Sequence, residues 1–288
     1  MARAELINRP ERPGLRATLA ELWSFRELII EFTRRSIMLR YKNSVLGIAW
    51  SLVTPLMMIL MITVMTKYIF AQPIPNYSAY LFPVMFAWTF CNSAIPDMCI
   101  ALLENASIVR RSYFPRELLP IATLLASLLH FAISLGLTLG YLMILRIFPQ
   151  QVNLKLLLVV LVVPAHLAFL LGIGLITSVL NVIFEDIRFV VSVVLQLMLY
   201  AVPVLYPVER VAAAVPQPWM LDLYLLNPFA SLLVLYQKAM LPPIAVKGIE
   251  TLPWSWGLLA QTWVVSLATL WFGLWFFNRL KYVAVERL

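Results

Sequence analysis

Residues 118–147 read LLPIATLLASLLHFAISLGLTLGYLMILRI, with no charged residue before Arg146. Such a run exceeds the roughly 20 apolar residues that cross about 30 Å of hydrocarbon at 1.5 Å rise per residue, and it lacks the alternation of a strand. Similar runs recur along the chain. Of the 288 residues 62% are hydrophobic and 12% charged, and the mean hydropathy is +0.88, whereas soluble domains are about half apolar. The sequence therefore reads as an all-α polytopic membrane protein. Six spans are predicted, at about 45–70, 77–103, 118–147, 154–180, 189–206 and 255–277.

Charge sets the expected orientation. The N-terminus, MARAELINRPERPGLRATLAEL, is charged and proline-punctuated, without the short apolar core and small-residue cleavage site of a signal peptide. With that end in the cytoplasm, only Lys67, Arg146, Lys155, Arg210, Lys238 and Lys247 of the 22 basic residues fall on the opposite side. The positive-inside bias thus places both termini in the cytoplasm. A tail over 1–18, an interface helix over 19–44, a membrane domain over 45–277 and a C-terminal tail over 278–288 follow from the same charge map.

Two segments break the pattern of simple spans. Residues 207–254 carry Pro207, Pro216, Pro218, Pro228, Pro242, Pro243 and Pro253. Their helical pieces, near 211–226 and 229–241, are too short to cross, so they are expected as re-entrant outer-side helices between spans five and six. Before span one, Leu22, Phe25, Leu28, Ile29, Phe32 and Leu39 share an arc of about 120°, with Glu27, Glu31, Arg34, Arg35 and Lys42 on the far side. An amphipathic helix lying on the membrane surface is the reading, its basic end among anionic headgroups.

Several chemistries lack their residues. With nine glycines, none followed by lysine, there is no G-x-x-x-x-G-K-[ST] phosphate loop, so any ATP would have to be hydrolysed by another chain. No metal-ligand spacing occurs, and His130 and His166 lie in separate spans as interior hydrogen-bonding residues. Cys91 and Cys99 are about 12 Å apart along one helix, too far for a disulfide. Asp97, the one acid well inside a span, is read as an interhelical polar contact, since a proton relay needs a ladder of ionisable groups.

Four blocks near the inner face carry the most information. They are FRELIIEFTRRSIMLRYKNSVLGIAWSLVTPLM around the interface helix, ENASIVRRSYFPRELLP at 104–120, LNVIFEDIRFVVSVVLQLMLYAVPVLYP at 180–207 and LNPFASLLVLYQKAML at 226–241. In this order and spacing they resemble the permease subunits of type 2 ABC exporters for polysaccharides, the group that moves O-antigen, capsule and teichoic acid polymers. The resemblance implies a homodimer of six-span subunits around a channel, in a bacterial cytoplasmic membrane. It also implies two copies of a separate ATP-binding subunit, which would hold the ATP and Mg, with no cofactor in this chain and no nucleic-acid partner. An alternative is a permease of the same build exporting a small hydrophobic drug or lipid.

Candidate site residues follow from the resemblance and from side-chain chemistry. Arg110, Arg111, Tyr113, Phe114, Pro115, Arg116 and Glu117 resemble the helix that couples to the ATPase. The positive-inside rule explains the arginines there but not the two aromatics, which suit a groove in a soluble partner. Glu185, Asp186 and Arg188 form the second inner loop, for ATPase contact or a salt bridge. Arg34, Arg35, Arg40 and Lys42 could receive the phosphates of a lipid-linked substrate, because guanidinium groups grip phosphate oxygens in pairs. Trp50, Trp88, Phe90, Tyr200 and Tyr206 could offer sliding contacts to sugar rings, or serve as interface belts.

Overall fold

A computed structural model describes residues 22–42, 44, 47–69, 77–145, 152–241 and 252–288. The expected 1–18 tail lies outside them. No strand occurs among the described residues. Helix α1 covers Arg26–Arg40, α2 Trp50–Val64, α3 Tyr77–Glu104, α4 Ala106–Arg111, α5 Leu118–Ile144 and α6 Val152–Ile183. Helix α7 follows at Ile187–Ala201, then α8 Val208–Ala214, α9 Pro218–Leu225, α10 Pro228–Met240 and α11 Trp256–Arg287. Among the described residues, five helices are long and apolar enough to cross a membrane, or six if α9 and α10, bent by 98°, form one span.

The predicted fifth span is the exception. Helix α7 has 15 residues and stops at Ala201, about 22 Å of rise. Pro203 is the cause, because the residue before a proline is pushed out of the helical region, and Val202 is extended at φ −105°, ψ 159°. The carbonyls freed beyond it still need donors. Tyr77 Oη donates to the Leu205 carbonyl at 2.6 Å, and Tyr80 Oη lies 2.7 and 2.6 Å from the carbonyls of Pro203 and Tyr206. The start of α3 thereby holds the C-terminal end of α7 in place.

Two further boundaries differ from the sequence reading. The piece expected over 211–226 is two helices, α8 and α9, with Val215, Pro216 and Gln217 between them. Helix α11 runs to Arg287, through what was expected as a tail. Its end is held by packing, since Phe277, Ala284 and Leu288 join Phe32, Val109, Phe114 and Leu118 in an apolar cluster where the basic segments gather.

Helix α3 is the axis of the bundle, buried along most of its length and packed on α2, α5, α6, α7 and α10. Helices α6 and α11 approach most closely at glycines. A Cβ on Gly172 would meet the Thr269 carbonyl oxygen at 2.5 Å, so only glycine fits there, as small residues allow at membrane helix crossings. At the basic end, α1 lies across α5, and Leu22, Phe25, Leu28, Ile29 and Phe32 pack against the apolar cluster. The apolar arc of α1 is thus covered mainly by protein, with Leu39 left exposed.

Candidate functional site

A cleft of about 570 Å³ opens between α2, α3, α5 and α7 at mid-bundle depth. Trp50, Trp88, Phe90 and Tyr200 line it, four of the five aromatics singled out in the sequence. Tyr206 does not reach it; its hydroxyl donates to the Tyr200 carbonyl at 3.0 Å and lies 3.4 Å from Tyr224 Oη. Trp50 and Tyr200 are exposed at the mouth, whereas Trp88 and Phe90 are buried in the wall. Phe90 stacks on Phe131 with centroids 4.6 Å apart.

Between the rings the lining is hydroxyl and amide. Helix α7 contributes Ser192 and Gln196, four residues apart and both exposed, in line with Tyr200. From α3 come Thr89, Asn92 and Ser93, and from α5 Ser127, His130 and Ser134. Of these polar residues only His130 stood out in the sequence. Their signal was present as polar positions three or four apart on otherwise apolar helices. Ser134 and Thr138 do return their hydroxyls to the carbonyls of His130 and Ser134, at 2.9 and 2.8 Å.

The cleft meets α1 at Arg40, its one charged lining residue among those described. Arg40 pairs with Asp97, the intramembrane acid, and both border a second cavity of about 330 Å³ between α1, α3 and α5. Arg35 lines that cavity too, together with Glu104. Arg34 and Lys42 are exposed outside both cavities. The next residue after Arg40, Tyr41, lays its ring 5.3 Å from that of His130. Then Gly47 at φ +49°, a conformation that favours glycine, turns the chain into α2.

His130 and His166 do not meet. His166 is wholly buried, with Nε2 3.0 Å from Cys91 Sγ and Nδ1 3.3 Å from Tyr236 Oη. Both cysteines are free and buried.

At the basic end the 104–120 segment divides into two faces. Tyr113 is 89% exposed, and Arg110 and Arg111 point outward with it. Phe114, only 4% exposed, packs on Phe32 of α1 with centroids 5.6 Å apart. Pro115 is buried as well, and the Arg116 guanidinium covers the Phe114 ring at 5.1 Å while donating to the Ser112 carbonyl at 3.2 Å. Glu117 turns inward, its carboxylate 2.7 Å from Lys281 of α11. In the second loop Glu185, Asp186 and Arg188 are exposed, and among the described residues they form no ion pair with one another. The Arg188 guanidinium instead lies 4.7 Å over Phe189.

Comparison with known proteins places this arrangement. The profile of the ABC-2 type transporter family matches residues 27–241. The chain belongs to that family. The O-antigen export system permease protein RfbA of Klebsiella pneumoniae is 26% identical over 262 residues, 91% of this chain and 95% of its own length. The protein of that name from Myxococcus xanthus is 29% identical over 217 residues, 75% of this chain and 81% of its own. The region shared with ABC-2 transporters runs from α1 to the end of α10 and includes the cleft, the Arg40 junction and the 104–120 loop.

Proposed function

We propose that this chain is the membrane-spanning subunit of an ATP-driven exporter of lipid-linked polysaccharide in a bacterial cytoplasmic membrane. It works as a homodimer above two copies of a separate ATP-binding subunit, which binds ATP and Mg, and both its termini are cytoplasmic. One observation carries the reading: the mid-bundle cleft is lined by aromatic faces and by exposed amides and hydroxyls such as Asn92, Ser192 and Gln196. Uncharged polar groups left unpaired in hydrocarbon are costly, so this surface faces water, cargo or a second subunit. Two such clefts facing each other make a conduit. Hydroxyls and amides exchange hydrogen bonds with a hydrated glycan, and the scarcity of fixed charge leaves little to trap it. A small hydrophobic drug or lipid would call for a drier lining.

The drive enters through the two-faced loop. Tyr113, Arg110 and Arg111 dock on the ATP-binding subunit, while Phe114 beneath them bears on Phe32 and so on α1. Helix α1, lying at the inner interface, passes that displacement to the Arg40–Asp97 and Tyr41–His130 contacts at the edge of the cleft. Arg35 and Arg40 receive the lipid-linked phosphates at the junction cavity, and Arg34 and Lys42 gather anionic headgroups outside it. Helices α8, α9 and α10 close the outer mouth as re-entrant elements. The test is copurification with the ATP-binding subunit, then ATP hydrolysis with and without lipid-linked glycans. Stimulation by glycan is expected; export by the chain alone, or stimulation by hydrophobic drugs only, would refute the assignment.

A further inference from the structure

Among the described residues, three buried polar atoms in or beside the wall of the cleft lack a hydrogen-bond partner. His130 Nδ1 lies 2.8 Å from the Ala126 carbonyl, and because a carbonyl only accepts, the ring carries its proton there. Nε2 is left without a partner, in a side chain 7% exposed. Ser127, 1% exposed and three residues back on the same face of α5, leaves its Oγ unpartnered as well. Helical serines commonly return the hydroxyl to a carbonyl in the preceding turn, as Ser134 does. Tyr41, whose ring centroid lies 5.3 Å from that of His130, carries the third of these atoms, its Oη, unpartnered among the described residues. Buried polar groups without partners are rare, and two on one face of α5 with a third on the tyrosine beside it need a reason.

We infer that Ser127 and His130 form a sugar-binding station in the cleft, uncovered when Tyr41 withdraws with the end of α1. The inference rests on the glycan-export reading and adds to it the residues that hold the cargo. The unpartnered nitrogen accepts an O–H from a neutral, hydroxyl-bearing pyranose ring, and Ser127 Oγ, able to donate and accept, bonds a neighbouring hydroxyl. Phe131 and Phe90, stacked beside them, supply the apolar flank that the C–H face of a sugar requires. In the conformation described here Ser127 and His130 are buried and the Tyr41 ring lies against that of His130, so the station stays shut until α1 moves. Tyr41 directly follows α1, and Gly47 provides the elbow for that movement.

The test uses the full chain with its ATP-binding subunit in lipid nanodiscs, titrated calorimetrically with maltoheptaose, mannopentaose and chitopentaose and with their per-O-methylated forms. Wild type is expected to bind at least one native oligosaccharide, while the methylated form, which has ether oxygens but no O–H donors, binds at least tenfold more weakly. His130→Phe keeps the ring against Tyr41 and removes the acceptor, and Ser127→Ala removes the hydroxyl. Each should weaken binding about fivefold, the effect of one neutral hydrogen bond, while His130→Gln, which keeps an acceptor, restores part of it. Unchanged melting temperatures separate these effects from misfolding. Oligosaccharide binding that is equal in wild type, His130→Phe and Ser127→Ala would overturn the station and leave the export reading standing. Absence of binding to wild type, with and without ATP, would also overturn it. The export reading is then judged separately, by whether cells lacking the chain accumulate intracellular polymer.

Discussion

Glu117 stands in a segment read as a docking surface, yet its carboxylate is 1% exposed and held by Lys281, itself 17% exposed. The sequence could show an acid beside three arginines but not which way it turned, because that depends on where α11 ends. A buried pair loses about 3–5 kcal/mol when one partner is removed, whereas replacing both by apolar side chains can be neutral. Glu117→Ala should therefore lower the melting temperature of the purified permease, while Glu117→Leu with Lys281→Met restores most of it. A double variant no more stable than the single one would contradict this account. The neighbouring aromatics separate in the same way. Tyr113→Ala removes an exposed ring and should leave melting unchanged while uncoupling ATP hydrolysis from export. Phe114→Ala opens a cavity against Phe32 and should cost about 3–5 kcal/mol. Equal losses of stability from the two would mean that the loop does not have two faces.

At the scale of elements, hydropathy made five spans legible because long apolar runs have few alternatives in lipid. The misplaced boundaries have local causes. Pro203 ends α7 inside an apolar run, and Tyr77 and Tyr80, 128 and 123 residues away in sequence from the Leu205 and Pro203 carbonyls, take up the groups it frees, a long-range contact that no window of sequence contains. The helical continuation of α11 past 277 was hidden for the opposite reason, because its charged residues mask the apolar positions Phe277, Ala284 and Leu288 that pack on the basic-end cluster. The α6–α11 contact, by contrast, is written in single residues. Gly172→Leu would drive a side chain into the Thr269 backbone. It should push the helices apart and yield aggregated or poorly expressed protein, whereas Gly136→Leu, where a Cβ meets nothing within 4 Å, should behave as wild type. Monodisperse, normally melting Gly172→Leu protein would show that the crossing tolerates separation.

Across the whole molecule, three ion pairs join separate elements among the described residues, and their burial sorts them. Glu209–Lys238 and Glu117–Lys281 each have a carboxylate with almost no exposed surface and act as fixed joints at opposite ends of the bundle. Arg40–Asp97 is different, with side chains 29% and 33% exposed. Pairs exposed to that degree contribute about 0–1 kcal/mol, little enough for a substrate phosphate or a push on α1 to break. It is thus the releasable contact, and its Arg40 borders both cavities and directly precedes the tyrosine whose ring lies against that of His130. Arg40→Cys with Asp97→Cys, joined by a short bifunctional methanethiosulfonate, should fix α1 to α3. Cys91 and Cys99 are buried and should not react on that timescale. Export of polymer from reconstituted vesicles is expected to stop on bridging and return on reduction, with the ATP-binding subunit still bound throughout. Full export in the bridged state would mean that cargo enters without α1 leaving α3, and the lever from Tyr113 to the cleft would have to be abandoned.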